Sequence, residues 1–160
     1  MYRQVILRRI SNLPLGIASL GLFCFLLTLG LPSVAVKVFG SPSDFSGVQA
    51  IAWAIGIGNE SVVNLCLTHT LNVKPLILGV AAYLNVVFLV VPIALKCRIS
   101  RAIALSWLIV VSLLGLILGL IAPFSLDNTH IRLGYIIWII GYGLILLSLL
   151  AAKMFGYRAP

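Results

Sequence analysis

Four long apolar stretches without a charged residue constrain this chain more than any other feature of its sequence. They contain 19, 20, 21 and 20 residues, and together they make half of the 160-residue chain. A helix rises about 1.5 Å per residue, so each stretch is long enough to cross a hydrocarbon core of about 30 Å. We therefore predict four transmembrane helices, over Leu13–Leu31, Leu76–Leu95, Ala102–Ala122 and Leu133–Ala152.

The composition points to the same class of protein. Hydrophobic residues make up 62% of the chain and charged residues only 9%, which excludes a soluble domain and an intrinsically disordered chain. The predicted fold class is an all-α integral membrane protein. Residues 1–160 are expected to form a single tetraspan domain, a four-helix bundle with an extracytoplasmic segment over residues 32–75.

A fifth apolar stretch, Gly47–Leu71, is interpreted differently because Asn59, Glu60, Ser61 and Asn64 fall in its middle. A carboxylate at the centre of a membrane costs about 2.5 kcal/mol or more. We therefore expect this stretch to lie outside the bilayer core.

The distribution of basic residues also favours four crossings. With a cytoplasmic N-terminus, four helices place eight basic residues inside, and the three basic and three acidic residues outside cancel. Five crossings would put five basic residues inside and six outside, against the positive-inside rule. Both termini are therefore predicted to be cytoplasmic. The inner set is Arg3, Arg8, Arg9, Lys96, Arg98, Arg101, Lys153 and Arg158.

The outer segment Pro32–Pro75 is long enough to carry structure of its own. In Ser33–Phe39 three valines alternate with other residues, which predicts a β-strand, and Gly40–Asp44 has turn chemistry. Ser46 is expected to cap a short helix that Gly56 and Gly58 interrupt, with a second short helix after it. Phe124–Asn128 is the expected partner of the strand.

Small residues recur along the third and fourth predicted helices. Glycine and serine at such spacings permit close approach between helix backbones, and a seven-residue recurrence marks one face of a helix. We predict that these residues form helix-packing or partner interfaces. They are Ser112, Gly115, Gly119, Gly134, Gly141 and Ser148.

Asn85 is the one residue of the four predicted spans with a side-chain amide, which carries a separate hydrogen-bond donor and acceptor. Tyr135, Trp138 and Tyr142 share a face of the fourth helix, and Trp138 and Tyr142 lie too deep for an interfacial belt. These four residues are predicted to make interhelical contacts, with contact to a ligand as the alternative.

Reactive groups are few. The weak polar candidates at the outer surface are Glu60, Asn64, His69 and His130, and their spacing does not support a metal site or an acid–base pair. We therefore predict no catalytic residue, no metal and no cofactor. The basic residues are scattered beside helix ends rather than clustered for a groove, which speaks against a nucleic-acid partner.

The expected layout is similar to the claudin-like tetraspan arrangement, with four helices and a long first outer segment that contains a strand. The resemblance covers topology only, since Trp53 and Cys66 stand alone where claudins carry a Trp, Gly-Leu-Trp and two cysteines. Leu31–Gly40 followed by Phe45-Ser46-Gly47 is similar to a run in bacterial paraquat-inducible A membrane proteins. Neither resemblance implies a catalytic residue.

Two functions agree with these features. The first is a non-catalytic accessory or scaffold subunit that docks on a larger membrane complex through small-residue helix faces. The alternative is a protein that binds a lipid or another apolar ligand in a pocket at the outer mouth of the bundle. Membrane lipids are expected partners in both cases.

Overall fold

Six α-helices and one small sheet make up the part of the chain that a computed structural model describes, which is residues 2–38, 41–68, 73–97, 102–125 and 129–154. A 3-10 turn at Leu84–Val86, here called the Asn85 turn, joins α3 to α4, and a second at Ala122–Ser125 follows α5. The elements are α1 (Tyr2–Gly30), β1 (Pro32–Val38), β2 (Ser41–Ser46), α2 (Gly47–Thr68), α3 (Val73–Tyr83), α4 (Val87–Lys96), α5 (Ala102–Ile121), β3 (Thr129–Ile131) and α6 (Leu133–Met154).

The described residues contain five helical segments long and apolar enough to cross a membrane, which is compatible with an all-α integral membrane protein. Four of these segments overlap the four predicted spans: Asn12–Gly30, Val73–Lys96, Ile103–Phe124 and Leu133–Met154. The fifth is α2, which covers most of the stretch that the polar residues had placed outside the bilayer core.

The prediction of two short helices over Gly47–Leu71 is wrong, because α2 is one helix of 22 residues. A single glycine inside a helix costs only about 1 kcal/mol relative to alanine, which neighbouring contacts can offset. Gly58 makes such a contact, since a Cβ added to it would lie 2.6 Å from the Gly79 Cα on α3. The predicted cap is confirmed, for the Gln49 N–H donates to the Ser46 Oγ and the Ser46 N–H to the Gln49 Oε1.

The helices of the bundle alternate in direction. Gly21 of α1 lies against Gly141 of α6, while Gly134, near the start of α6, lies against Leu31 at the end of α1. These two helices are therefore antiparallel. Phe88 of α4 fills the space between them, stacked on Phe25 with ring centroids 4.5 Å apart and edge-on to Tyr142 at 4.6 Å.

The sheet closes one end of the bundle, here called the sheet end, where α1 ends and α6 begins. Its strand order is β2-β1-β3, with all pairs antiparallel. The alternating valines correctly predicted β1. Two other expectations were wrong: Ser41–Asp44 is part of β2 rather than a turn, and β1 pairs with β3 rather than with Phe124 and Ser125, which lie in a 3-10 turn. Residues 126–128 of the expected partner lie outside the described residues. Both changes follow from pairing with β1, which satisfies backbone groups that turn-forming residues alone would leave unpaired.

Helices α2 and α3 form a hairpin at the sheet end. The Gly47 N–H donates to the Leu31 carbonyl, 3.1 Å away, so α2 starts beside the end of α1. Later residues of α2 contact earlier residues of α3. A Cβ added to Gly79 would meet Ala54, whereas one added to Gly58, four residues further along α2, would meet Pro75. The two helices are therefore antiparallel, and α2 leads away from the bundle. Residues 62–68 at its end are all exposed.

Candidate functional site

A cavity lies at the sheet end between α2, α3 and α6. Its volume is about 90 Å³, and it is open on one side. The walls come from α1, β1, β2, α2, α3, α6 and both 3-10 turns, and they are almost entirely apolar. The space exists because alanines face it where larger residues would fill it: Ala50, Ala54, Ala81, Ala82 and Ala122.

Aromatic rings form two of the cavity walls. Trp138 packs between Tyr135 and Tyr142, with ring centroids 5.2 Å away on each side. On the opposite wall, Phe45 of β2 stacks on Trp53 of α2 at 6.3 Å. Aromatic side chains bury large apolar areas with few rotatable bonds. The cavity therefore has rigid walls on two sides.

Asn85 is the polar group at the bottom of this cavity. Its residue is only 7% exposed. The side-chain Oδ1 accepts one hydrogen bond from the Trp138 Nε1, 2.7 Å away, and a longer one of 3.4 Å from the Tyr142 hydroxyl. The Nδ2 atom is buried and has no hydrogen-bond partner. A buried amide donor without a partner costs about 1–3 kcal/mol.

The other polar groups in the cavity wall use their hydroxyl protons within the protein. The Thr28 Oγ1 donates to the Phe25 carbonyl at 2.6 Å, and the Ser33 Oγ to the Leu31 carbonyl at 3.3 Å. The Tyr135 hydroxyl donates to the Gly119 carbonyl of α5. Among the described lining residues, Asn85 is the one with a buried side-chain donor that has no partner.

Glycines on α5 hold the aromatic residues of α6 in place. A Cβ added to Gly115 would lie 2.6 Å from the Tyr142 ring, and one added to Gly119 would lie 2.9 Å from the Trp138 ring. The rings therefore pack directly on the backbone of α5. This packing fixes the indole N–H that faces Asn85.

All six small residues predicted as packing or partner faces are buried within this chain. Gly115 and Gly119 contact α6, Gly134 lies against β1 and the end of α1, and Gly141 lies against Phe88 and Gly21. The Ser148 Oγ donates to the Ile145 carbonyl, and the Ser112 Oγ is buried without a partner. A surface for another protein therefore has to be formed by different residues.

The structure brings together one of the two predicted polar sets. Asn85, Trp138, Tyr142 and Tyr135 form one connected cluster around the cavity. By contrast, Glu60 and Asn64 are exposed on α2 and His130 is exposed on β3. His69 lies outside the described residues.

Every charged side chain whose exposure the structure describes lies at the surface. No charged side chain lines the cavity among the residues that the structure describes, and within the same residues no three His, Cys, Asp or Glu side chains come close enough together to hold a metal ion. The Arg132 Nε and the Asp44 Oδ1 form an exposed ion pair of 3.0 Å that joins β2 to the start of α6. This ion pair lies at the edge of the sheet, and neither of its residues lines the cavity.

The cavity itself was not predicted at these residues, although part of its cause was visible in the sequence. Ala54 and Gly58 have the small-xxx-small spacing of a close helix contact, and they pack on Gly79. Two glycines only two residues apart, Gly56 and Gly58, indicate an interrupted helix more strongly than a close contact between two helices. Gly56 in fact has open space around the position of its missing Cβ.

Comparisons of the chain with family models, with curated proteins and with solved structures found no match.

Proposed function

We propose that the protein is a non-catalytic membrane protein that binds a lipid or another apolar ligand in the sheet-end cavity. The observation that carries this proposal is an apolar cavity whose wall contains a single buried, unpartnered polar atom, the Asn85 Nδ2. Ligand pockets typically have apolar walls and a few polar groups that orient the ligand. The lining of this cavity agrees with that description.

The absence of charged side chains from the described cavity wall supports a binding role rather than catalysis. General acid–base chemistry needs a titratable group within hydrogen-bond reach of the substrate. The polar groups around this cavity are an amide, an indole and hydroxyls, none of which is a strong acid or base. A site of this kind holds and orients a molecule without transferring a proton.

The same proposal includes four membrane crossings, with the sheet end outside. The α2 helix starts beside the end of α1 and runs antiparallel to α3, while α3 and α4 lead from the sheet end to Lys96 at the opposite end. In this arrangement α2 returns toward the outside instead of crossing. Glu60 then lies at or beyond the mouth of the bundle, and the eight inner basic residues keep the orientation that the positive-inside rule favours.

Filling the cavity tests the binding function. Ala50 lines the cavity, whereas Ala52, two residues along the same helix, is exposed and faces away from it. We expect Ala50→Leu to remove the lipid that co-purifies with the protein, measured by native mass spectrometry after extraction from native membranes in mild detergent. Ala52→Leu, the matched control, should retain it. Equal lipid content in both variants, or a wild-type protein without bound lipid, would contradict the proposal.

A second candidate function, docking on a larger membrane complex, is favoured by one feature. The outer end of α2 exposes several apolar side chains, of which Leu67 is 75% exposed. Exposed apolar patches on a protein surface often mark interaction sites. The subunit function predicts that larger subunits co-purify with the wild type and are lost from Leu67→Asn. A wild-type protein that purifies alone from native membranes would exclude it.

A further inference from the structure

We infer that the ligand of the sheet-end cavity is a neutral apolar molecule with a carbonyl group, and that this carbonyl accepts a hydrogen bond from the Asn85 Nδ2. The inference rests on the proposed binding function and names the chemistry that the cavity selects. A carbonyl on a long apolar chain has two common sources in a membrane, the ester of an acylglycerol and the ring of an isoprenoid quinone. Both present an acceptor and no charge.

The direction of the Asn85 amide is set by its neighbour. An indole N–H can only donate, so the atom 2.7 Å from the Trp138 Nε1 has to be the oxygen of the amide. The Tyr142 hydroxyl approaches the same oxygen at 3.4 Å. The nitrogen is therefore the free end of the amide. The group that completes this site has to be a hydrogen-bond acceptor.

A water molecule is a poor candidate for that acceptor. A buried water typically makes about three hydrogen bonds and needs two to four polar partners. The hydroxyl protons of Thr28, Ser33 and Tyr135 are already donated to backbone carbonyls. Because the wall is almost entirely apolar, a water beside the Asn85 Nδ2 would find few further partners. An acceptor carried by an apolar molecule satisfies this donor without needing further partners.

The charge of the ligand follows from the same wall. No Lys, Arg or His lies among the described lining residues, so a carboxylate or phosphate in the cavity would be buried without a counter-ion. Burying an unpaired charge is strongly unfavourable. The wall has no Asp or Glu either, which removes the partner that an ammonium group would need. The acceptor is therefore neutral, and a carbonyl offers the strongest neutral acceptor that common lipids contain.

The backbone conformation at Asn85 also supports a ligand site at this position. Asn85 sits in a 3-10 turn of three residues that interrupts the long helix formed by α3 and α4. Short 3-10 stretches inside helices often mark functional positions. In membrane proteins, interrupted helices are common beside bound substrates. Here the interruption coincides with the buried, unpartnered amide nitrogen of Asn85.

Three apolar probes test the inference on the full-length protein in detergent. They are dioctanoylglycerol, a benzoquinone with a short isoprenoid tail, and hexadecane, which has no polar atom. Binding is measured as the Kd from a titration followed by native mass spectrometry. Satisfying a buried donor should make the better carbonyl probe bind about 5- to 100-fold more tightly than hexadecane. The tighter of the two carbonyl probes identifies the source.

Two variants separate the donor from the cavity. Asn85→Leu removes the amide and should bring the Kd of the carbonyl probes to that of hexadecane. Ser112→Ala removes the other buried, unpartnered polar atom, which does not line the cavity, and should leave the preference unchanged. Infrared spectra of dioctanoylglycerol with a ¹³C-labelled carbonyl, bound to the wild type, give a result even if Asn85→Leu fails to fold. The bound carbonyl should absorb at a lower frequency than in micelles, as a hydrogen-bonded carbonyl does.

The outcomes distinguish the inference from the function on which it rests. Equal binding of hexadecane and the carbonyl probes to the wild type, or an unshifted carbonyl band, would overturn the inference and leave the cavity as an apolar-ligand site. If none of the three probes binds to the wild type, both the inference and the binding function fail.

Discussion

The contact between α2 and α3 gives the sharpest test of the packing, through the substitution Gly58→Ala. The added Cβ would lie 2.6 Å from the Gly79 Cα. Carbon atoms in good contact are about 3.5–4.0 Å apart, so the two backbones would have to separate by about 1 Å. Backbone atoms cannot rotate away as a side chain can. Overpacking of this kind costs about 1–3 kcal/mol.

Gly56→Ala is the matched control for this prediction. It introduces the same methyl group into the same helix two residues earlier, where a Cβ meets nothing within 4 Å. Replacing glycine by alanine inside a helix stabilises it by about 0.5–1 kcal/mol at both positions. Subtracting the free energy of unfolding of one variant from that of the other removes this shared contribution. The difference then reports only the effect of the contact between α2 and α3.

The measurement is the free energy of unfolding of both variants, from reversible denaturant titration in detergent. We expect Gly58→Ala to be less stable than Gly56→Ala by about 1–3 kcal/mol. The packing account would be refuted if the two variants agreed within about 0.5 kcal/mol, the range of ordinary surface substitutions. Such a result would mean that α2 does not lie against α3 at this glycine pair.

Three further predictions concern other parts of the molecule. Gly119→Leu should lower the free energy of unfolding by about 1–3 kcal/mol because it displaces the Trp138 ring, whereas His130→Ala, at an exposed position, should change it by less than about 0.5 kcal/mol; equal effects in denaturant titrations would contradict this. Asp44→Asn removes an exposed ion pair and should cost less than about 1 kcal/mol in the same assay, so a larger loss would show that the pair does more than join the sheet edge. In a variant without native cysteines, Asn64→Cys should react with a membrane-impermeant thiol reagent added outside intact cells, and labelling only after cell lysis would indicate that α2 crosses the membrane.

Much of the fold follows from simple physical properties of the sequence. Length and hydropathy predicted four of the helical segments because a membrane-crossing helix satisfies its own backbone and needs only an apolar surface. Alternating valines predicted β1, and Ser46 as a capping residue predicted the start of α2. Each of these signals is local, so it can be recognised without knowledge of the neighbouring elements.

The elements that sequence reasoning missed depend on tertiary contacts. The Ser41–Ser46 segment contains residues typical of turns, and it becomes a strand because β1 lies beside it. The α2 helix continues through Gly56 and Gly58 because Gly58 packs on Gly79 of α3. Local propensity is a weak guide where such contacts compensate for it.

The candidate site also has some features that the local sequence predicts and others that depend on tertiary contacts. Asn85 was recognisable as a polar residue in an apolar stretch, and the aromatic face of α6 followed from helical spacing. A pocket at the outer mouth of the bundle was expected only as the alternative, and the residues that line it were not recognisable, because empty space is a property of how several elements pack together. It depends on alanines such as Ala50 and Ala81, which come from different helices and whose common neighbourhood only the fold reveals.

Photo-crosslinking tests most directly the central claim that the sheet-end cavity holds an apolar ligand. A diacylglycerol with a diazirine in one acyl chain would be incorporated into native membranes, activated by light, and its adducts mapped by mass spectrometry. We predict adducts concentrated on cavity residues such as Ala81 and Ala54, and their loss in Ala50→Leu. Adducts confined to outward-facing side chains of α5, such as Ile117 and Leu120, which are 44% and 51% exposed, would contradict the claim.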